Sequence, residues 1–124
     1  MIYLDTHVVV WLYAGLSEKF TLRGVDLLEN KQLLISPMVQ LELQYLKEIQ
    51  RISAESALIV ETLAYSIGLQ ICQTSFAQII AESITETWTR DPFDRLIVAQ
   101  AKTRGAPLLT QDHLILEHYP RAVW

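Results

Sequence analysis

"RDPFDRLIVAQAKTRGAPLLTQDH", residues 90 to 113, holds a helix start, a helix stop, a strand and three aspartates in one passage. Asp91 is placed to cap the helix, and Pro92 suits its first position, where a missing N–H costs nothing. Gly105 ends the helix, "PLLT" (107–110) reads as a short buried strand, and Asp112 follows that strand by two residues. A helix feeding directly into a short apolar strand is the unit of an α/β fold.

The same alternation extends back along the chain. "IYL" (2–4), "LLI" (33–35) and "LQIC" (69–72) are further short strands, and "AVW" (122–124) reads as a terminal edge strand. "THVVVWLYAG" is ambiguous, because its β-branched run favours strand while Thr6 as a cap and Gly15 as a stop favour helix. "FTLRGVDLLENK" has helical apolar spacing through Leu22, Val25 and Leu28. Ser36 and Pro37 open another helix, "AESALIVETLAYSIG" is closed by Gly68, and Ser75 with Gln78 fits a capping box. "QDHLILEH" is a short helical turn. The expectation is a mainly parallel sheet of four or five strands flanked by helices, with residues 1–124 forming a single domain.

Composition narrows the function classes. The 124 residues are 51% hydrophobic with a mean hydropathy of +0.22, which can fill a core or supply an apolar partner surface. No apolar run reaches the roughly 18 residues of a membrane helix, so no membrane association is expected. "MIYLDTH" lacks the basic start of a secretory signal, and the lone Cys72 argues against a disulfide scaffold. A cytoplasmic protein is expected. The net charge of −4 disfavours indiscriminate nucleic-acid binding, but leaves room for local basic contacts around an acidic metal site.

Four acids stand at strand ends or helix starts. Asp5 follows the first strand and Asp112 the fourth; Asp94 lies in the first turn of its helix. Met38, Leu41, Glu42 and Tyr45 follow i, i+3, i+4, i+7, so Glu42 falls within an apolar stripe and faces inward. Each has a purely structural alternative: Asp5 and Asp112 can cap helices, and Asp94 can complement a helix dipole. In α/β sheets, however, ligands bind beyond the carboxyl ends of the strands, where one crevice could gather all four. Crowded carboxylates repel unless a cation neutralises them, and an all-oxygen set favours Mg²⁺ or Mn²⁺. Metal-dependent phosphodiester hydrolysis follows as the expected chemistry.

"YLDTH", "SPMVQLEL", "RDPFDRLIVAQA" and "LLTQDH" together, in that order, resemble the acidic motifs of PIN-domain ribonucleases, in particular VapC-type toxins of bacterial toxin–antitoxin pairs. The resemblance implies a PIN-like three-layer fold and an Mg²⁺-dependent endoribonuclease (or Mn²⁺-dependent) that hydrolyses RNA with a metal-activated water. It implies catalytic and metal-ligand roles for Asp5, Glu42, Asp94 and Asp112, and supporting hydroxyls at Thr6 and Thr110. It also implies a cognate antitoxin partner and a homodimer. Gln111 departs from the pattern, since many relatives carry a basic residue there.

Arg90 and Arg95 flank Asp94 and are expected either on a solvated face or gripping RNA phosphate, with Lys102 on the same helix face as Arg95. His7 is read as a packing or substrate hydrogen-bonding residue, because a hard metal prefers oxygen; His113 and His118 are read as surface residues. Cys72 has no adjacent base and is not expected to act as a nucleophile. Trp11, Trp88 and Trp124 are assigned to core or interface packing, and the helix of "VVVWLY" is expected to offer an apolar partner face. Two alternatives stand beside the nuclease: a metal-dependent phosphohydrolase of another type, and a non-catalytic binding module of the same fold. No Gly-rich phosphate loop occurs, "DTH" lacks a second aspartate two residues on, and no lysine follows "LLTQDH" as a receiver domain would require.

Overall fold

A computed structural model describes all residues from Met1 to Trp124. Five strands, β1 (Ile2–Leu4), β2 (Leu33–Ile35), β3 (Gln70–Ile71), β4 (Leu108–Leu109) and β5 (Ala122–Val123), form one sheet in the order β3-β2-β1-β4-β5. Every pairing is parallel. Seven α-helices accompany it: α1 (Thr6–Ala14), α2 (Leu22–Asn30), α3 (Pro37–Glu48), α4 (Ser56–Ile67), α5 (Phe76–Ser83), α6 (Pro92–Thr103) and α7 (His113–His118). The fold is thus the α/β arrangement expected, with the fifth, terminal strand present as a parallel edge.

The strands are short and apolar because they lie between helical layers, where parallel strands bury both faces. All residues of β1, β2 and β4 are buried, and they contribute to a core of 23 buried side chains. Helix α6 is buried over six consecutive residues, Leu96 to Ala101, so it touches neighbours around most of its circumference. A smaller cluster of Ile79, Leu96 and Ala99 seals α5 against α6.

Local signals set the helix ends. Ser36 Oγ accepts from the Met38 N–H and begins α3, and Gly68, at φ +72°, turns the chain out of α4. The ambiguous run after Asp5 is helix α1. Its cap is Asp5 rather than Thr6, because Asp5 Oδ1 accepts the Thr6 N–H and Thr6 already has a helical backbone. Only half of the capping box at α5 forms: Ser75 Oγ accepts from the Gln78 N–H.

Helix α1 presents apolar side chains on two sides, one in the core and one along a cleft. Val8 and Val9 are buried, while Trp11, Leu12 and Tyr13 are half-buried. The outer side of α1 lines an apolar cleft of 450 Å³ with Phe20, Val25, Leu28 and Ile67. The large exposed apolar side chains stand elsewhere, on α3 (Leu41, Tyr45), α4 (Leu58, Tyr65) and the start of α5 (Phe76). No helix is long and apolar enough to cross a membrane.

Ser36 joins the second strand to the sixth helix as well as capping α3, since its hydroxyl donates to buried Gln100 Oε1 at 3.0 Å. Ser36→Ala removes the cap and leaves that amide oxygen unpaired. Urea unfolding is expected to show a loss of about 1–3 kcal/mol.

Candidate active site

The strand order creates the site. From β1 the chain steps outward to β2 and β3, then returns across the sheet to β4 on the other side of β1. That reversal puts a crevice beyond the carboxyl ends of β1 and β4, the usual ligand position in open parallel sheets. Tyr3 pairs with Leu108 and Leu4 with Leu109, so Asp5 and Thr110 leave the sheet side by side. The Thr110 hydroxyl donates to Asp5 Oδ2 at 2.7 Å, and both residues are buried.

The predicted acids line one cleft of 350 Å³: Asp5 from the end of β1, Glu42 from α3, Asp94 from α6 and Asp112 from the start of α7. Asp91 joins them. It caps α6 as expected, with Oδ1 accepting from the N–H groups of Phe93 and Asp94, but it also faces the cleft. That second role was missed because a capping aspartate before proline already has a sufficient local explanation. Asp112 likewise caps α7 through Oδ1, accepting from the N–H groups of Leu114 and Ile115.

Thr6 and Thr110 both touch acids. The Thr6 hydroxyl donates to Glu42 Oε1, and Thr110 Oγ1 accepts from the Asp112 N–H while donating to Asp5. His7 lines the cleft too; its Nε2 accepts from the Gln111 backbone N–H at 2.8 Å. Burial lowers the pKa of the imidazole, against the opposing pull of the Asp5 and Asp112 carboxylates.

Electrostatics mark the cleft as crowded with negative charge. The pKa of Asp94 is raised to about 7, first by burial and then by the charges of Asp91, Asp5, Asp112 and Glu42. Glu42 is raised as well, chiefly by burial, with the Thr6 hydrogen bond acting in the opposite direction. The carboxylates line the cleft without closing on a point, and no three of them form a group that could hold an ion as they stand. As a donor set they still suit a hard divalent cation, because all are oxygen ligands and bound positive charge would relieve the repulsion felt by Asp94.

The arginines beside Asp94 are not brought into this cleft. Arg95 donates from Nε and a terminal nitrogen to the Ser83 carbonyl, and also to that of Ile84, satisfying the carboxyl end of α5. Arg90 donates to the Thr87 carbonyl at 2.9 Å, and the two arginines line a separate groove. Lys102 is held by Glu82 and buried Glu86, and Glu86 also accepts from Trp88 Nε1. Trp88 stacks on exposed His118. Trp11, Phe20 and Trp124 pack together beside His7. Cys72 is buried, accepts from the Tyr3 hydroxyl at 2.9 Å, and lies outside the cleft.

The PIN domain family model matches residues 2–120. The chain belongs to the PIN-domain family. Similar solved structures include VapBC2 from Rickettsia felis bound to a promoter DNA fragment, at TM-score 0.66 and 21% identity, covering 99% of this chain and 96% of that one. A toxin–antitoxin complex from Klebsiella pneumoniae matches at TM-score 0.67 and 16% identity, covering 100% and 97%. VapBC-1 from nontypeable Haemophilus influenzae matches at TM-score 0.64 and 21% identity, covering 98% and 92%. These likenesses establish the PIN fold. A search of curated proteins finds no significant match.

The raised Asp94 pKa has a sign that stability can read. An unfolded aspartate ionises near pH ~4, whereas folded Asp94 holds its proton to about pH 7. Between those values the folded state binds more protons, so this residue makes stability fall as pH rises from about 4 to 7 and level off above. In EDTA, Asp94→Asn is expected to raise the melting temperature at pH 8 and to leave it nearly unchanged at pH 4.

Proposed function

We propose that this chain is a metal-dependent endoribonuclease, the toxin of a toxin–antitoxin pair. The observation that carries the reading is the gathering of Asp5, Glu42, Asp94 and Asp112 in one cleft at the strand-order reversal, with the proton affinities of Glu42 and Asp94 raised there. PIN-domain membership and the toxin–antitoxin motif resemblance support the RNA substrate and the antitoxin partner. A homodimer is proposed on that same resemblance, and the exposed apolar side chains of α3 and α5 are compatible with it. A protein acting on cellular RNA would work in the cytoplasm.

The proposed holders of Mg²⁺ or Mn²⁺ are Asp5, Glu42, Asp94 and Asp112, with Thr6 and Thr110 supporting the first two. When bound, the ion would supply Lewis-acid polarisation of a phosphoryl oxygen and lower the pKa of water. The chain's own residues do the rest. Asp5 is held at both oxygens, Oδ1 by the Thr6 N–H and Oδ2 by Thr110, so its position is set before any ligand arrives. Glu42 is oriented by Thr6, and Asp112 by the helix it caps. Asp94 accepts no hydrogen bond from another side chain, and its raised pKa means that a cation would compete with a proton for it.

Substrate phosphate is assigned to Arg51 in preference to Arg90 and Arg95. Arg51 is exposed, forms no ion pair, and lines a polar groove of 680 Å³ that shares Ile52 with the acidic cleft. Phosphate contacts of this kind hold a nucleic acid in register without reading its sequence.

With Mg²⁺ and RNA, Asp5→Asn and Asp94→Asn are each expected to lower kcat by ~10²-fold or more, and EDTA to abolish cleavage. Undiminished Mg²⁺-dependent cleavage by Asp94→Asn would sink the assignment. Arg51→Ala is expected to raise KM with kcat unchanged and to reduce the salt slope of RNA binding by roughly 0.7, as one lost phosphate contact predicts.

A further inference from the structure

We infer that His7 is a positioning residue, which fixes the Asp112 end of the cleft by holding the backbone N–H of Gln111. The geometry stands by itself, and its consequence for metal binding rests on the nuclease reading above.

Gln111 lies between two residues of the site, and the segment 110–112 is tied down from several directions. Thr110 is fixed through its hydroxyl to Asp5. The Asp112 N–H turns back onto Thr110 Oγ1 at 3.0 Å, while Asp112 Oδ1 is occupied with the first turn of α7. Gln111 itself is exposed, and its N–H is held by His7 Nε2 at 2.8 Å, across 104 residues of sequence. That is the only tether on this segment supplied by a side chain other than the acids and threonines.

The ring is built to stay put. His7 is the second residue of α1, whose start is capped by Asp5, so the helix carrying the acceptor is anchored to the acid it serves. Trp11, one helical turn on, lies 4.9 Å from the imidazole centroid, and Trp124 lies 6.3 Å away. A ring nitrogen that accepts an N–H carries no proton, so the neutral ring is protonated on Nδ1, which lies 3.7 Å from Asp5 Oδ2. His7 thereby links the Asp5 end of the cleft to the Asp112 end without entering the oxygen donor set.

His7 uses the backbone of residue 111, so the tether is indifferent to the side chain there.

Three substitutions separate the roles. His7→Gln puts an amide oxygen near the position of Nε2 and keeps an acceptor. His7→Asn reaches only as far as Nδ1 and loses it, and His7→Phe keeps the packing alone. In metal-free protein, amide hydrogen exchange read by NMR is expected to show Gln111 protected in wild type and His7→Gln. Exchange should be faster by about tenfold or more in His7→Asn and His7→Phe, with melting temperatures changed by only a few degrees. Calorimetric titration with Mn²⁺ is expected to show affinity near wild type for His7→Gln and weakened by roughly 10- to 100-fold for the other two. Unchanged Gln111 protection in His7→Asn overturns the inference, as does a His7→Gln variant as impaired as His7→Phe. If His7→Phe does not fold, the Gln and Asn pair decides the matter. If wild type itself binds no Mn²⁺, the nuclease reading fails, while the exchange comparison still tests the tether.

Discussion

The hydrogen bond from the Thr110 hydroxyl to Asp5 Oδ2, 2.7 Å long and buried, joins residues 105 positions apart where β1 and β4 leave the sheet. It can form only because β4 lies beside β1, with Leu4 opposite Leu109, and not beyond the β2–β3 edge. The cleft depends on that placement. Once Asp5 and Thr110 are side by side, α1 and α7 start next to each other, and Asp112 opens onto the same crevice as Asp5. Glu42 then arrives from α3 and is held by Thr6, the residue after Asp5.

Several of the acids perform two tasks with different atoms. Asp5, Asp91 and Asp112 all cap helices, and in each case Oδ1 accepts the N–H groups of the first turn. The same residues line the cleft. A carboxylate has two oxygens and about four acceptor directions, so capping leaves acceptor capacity free while fixing the rotamer. Cap and cleft residue are therefore not competing descriptions of these aspartates. Capping is also how a site rich in acids is tolerated: helix N-termini offset part of the negative charge. Asp94, which caps nothing and sits among the others, has its pKa raised first by burial and then by their charges.

Much of the fold was legible because its cues are local. Ser36–Pro37, Asp91–Pro92, Gly68 and Gly105 mark helix ends through capping and φ preferences that need no knowledge of distant residues. Glu42 stood out as a charge within a stripe expected to face inward; Leu41 and Tyr45 of that stripe are in fact exposed, and Glu42 is turned to the cleft, where Thr6 holds it. Arg90 and Arg95 were less readable. Their nearness to Asp94 in sequence suggested substrate contact, but Arg95 donates to the carbonyls of Ser83 and Ile84 at the end of α5, within its reach only because α5 packs on α6. His7 was read as a packing or hydrogen-bonding residue, and its partner is a backbone N–H, which no residue type announces.

By itself the sequence determined that apolar strands alternate with capped helices and that acids fall at their junctions, since periodicity and capping are properties of neighbouring residues. Only the tertiary structure decided which junctions meet. Parallel pairing is a choice among strands of nearly equal apolar character, made by the packing of the helices that cross between them. That choice placed β4 against β1 and turned acids separated by up to 107 positions, Asp5 to Asp112, into the walls of one cleft.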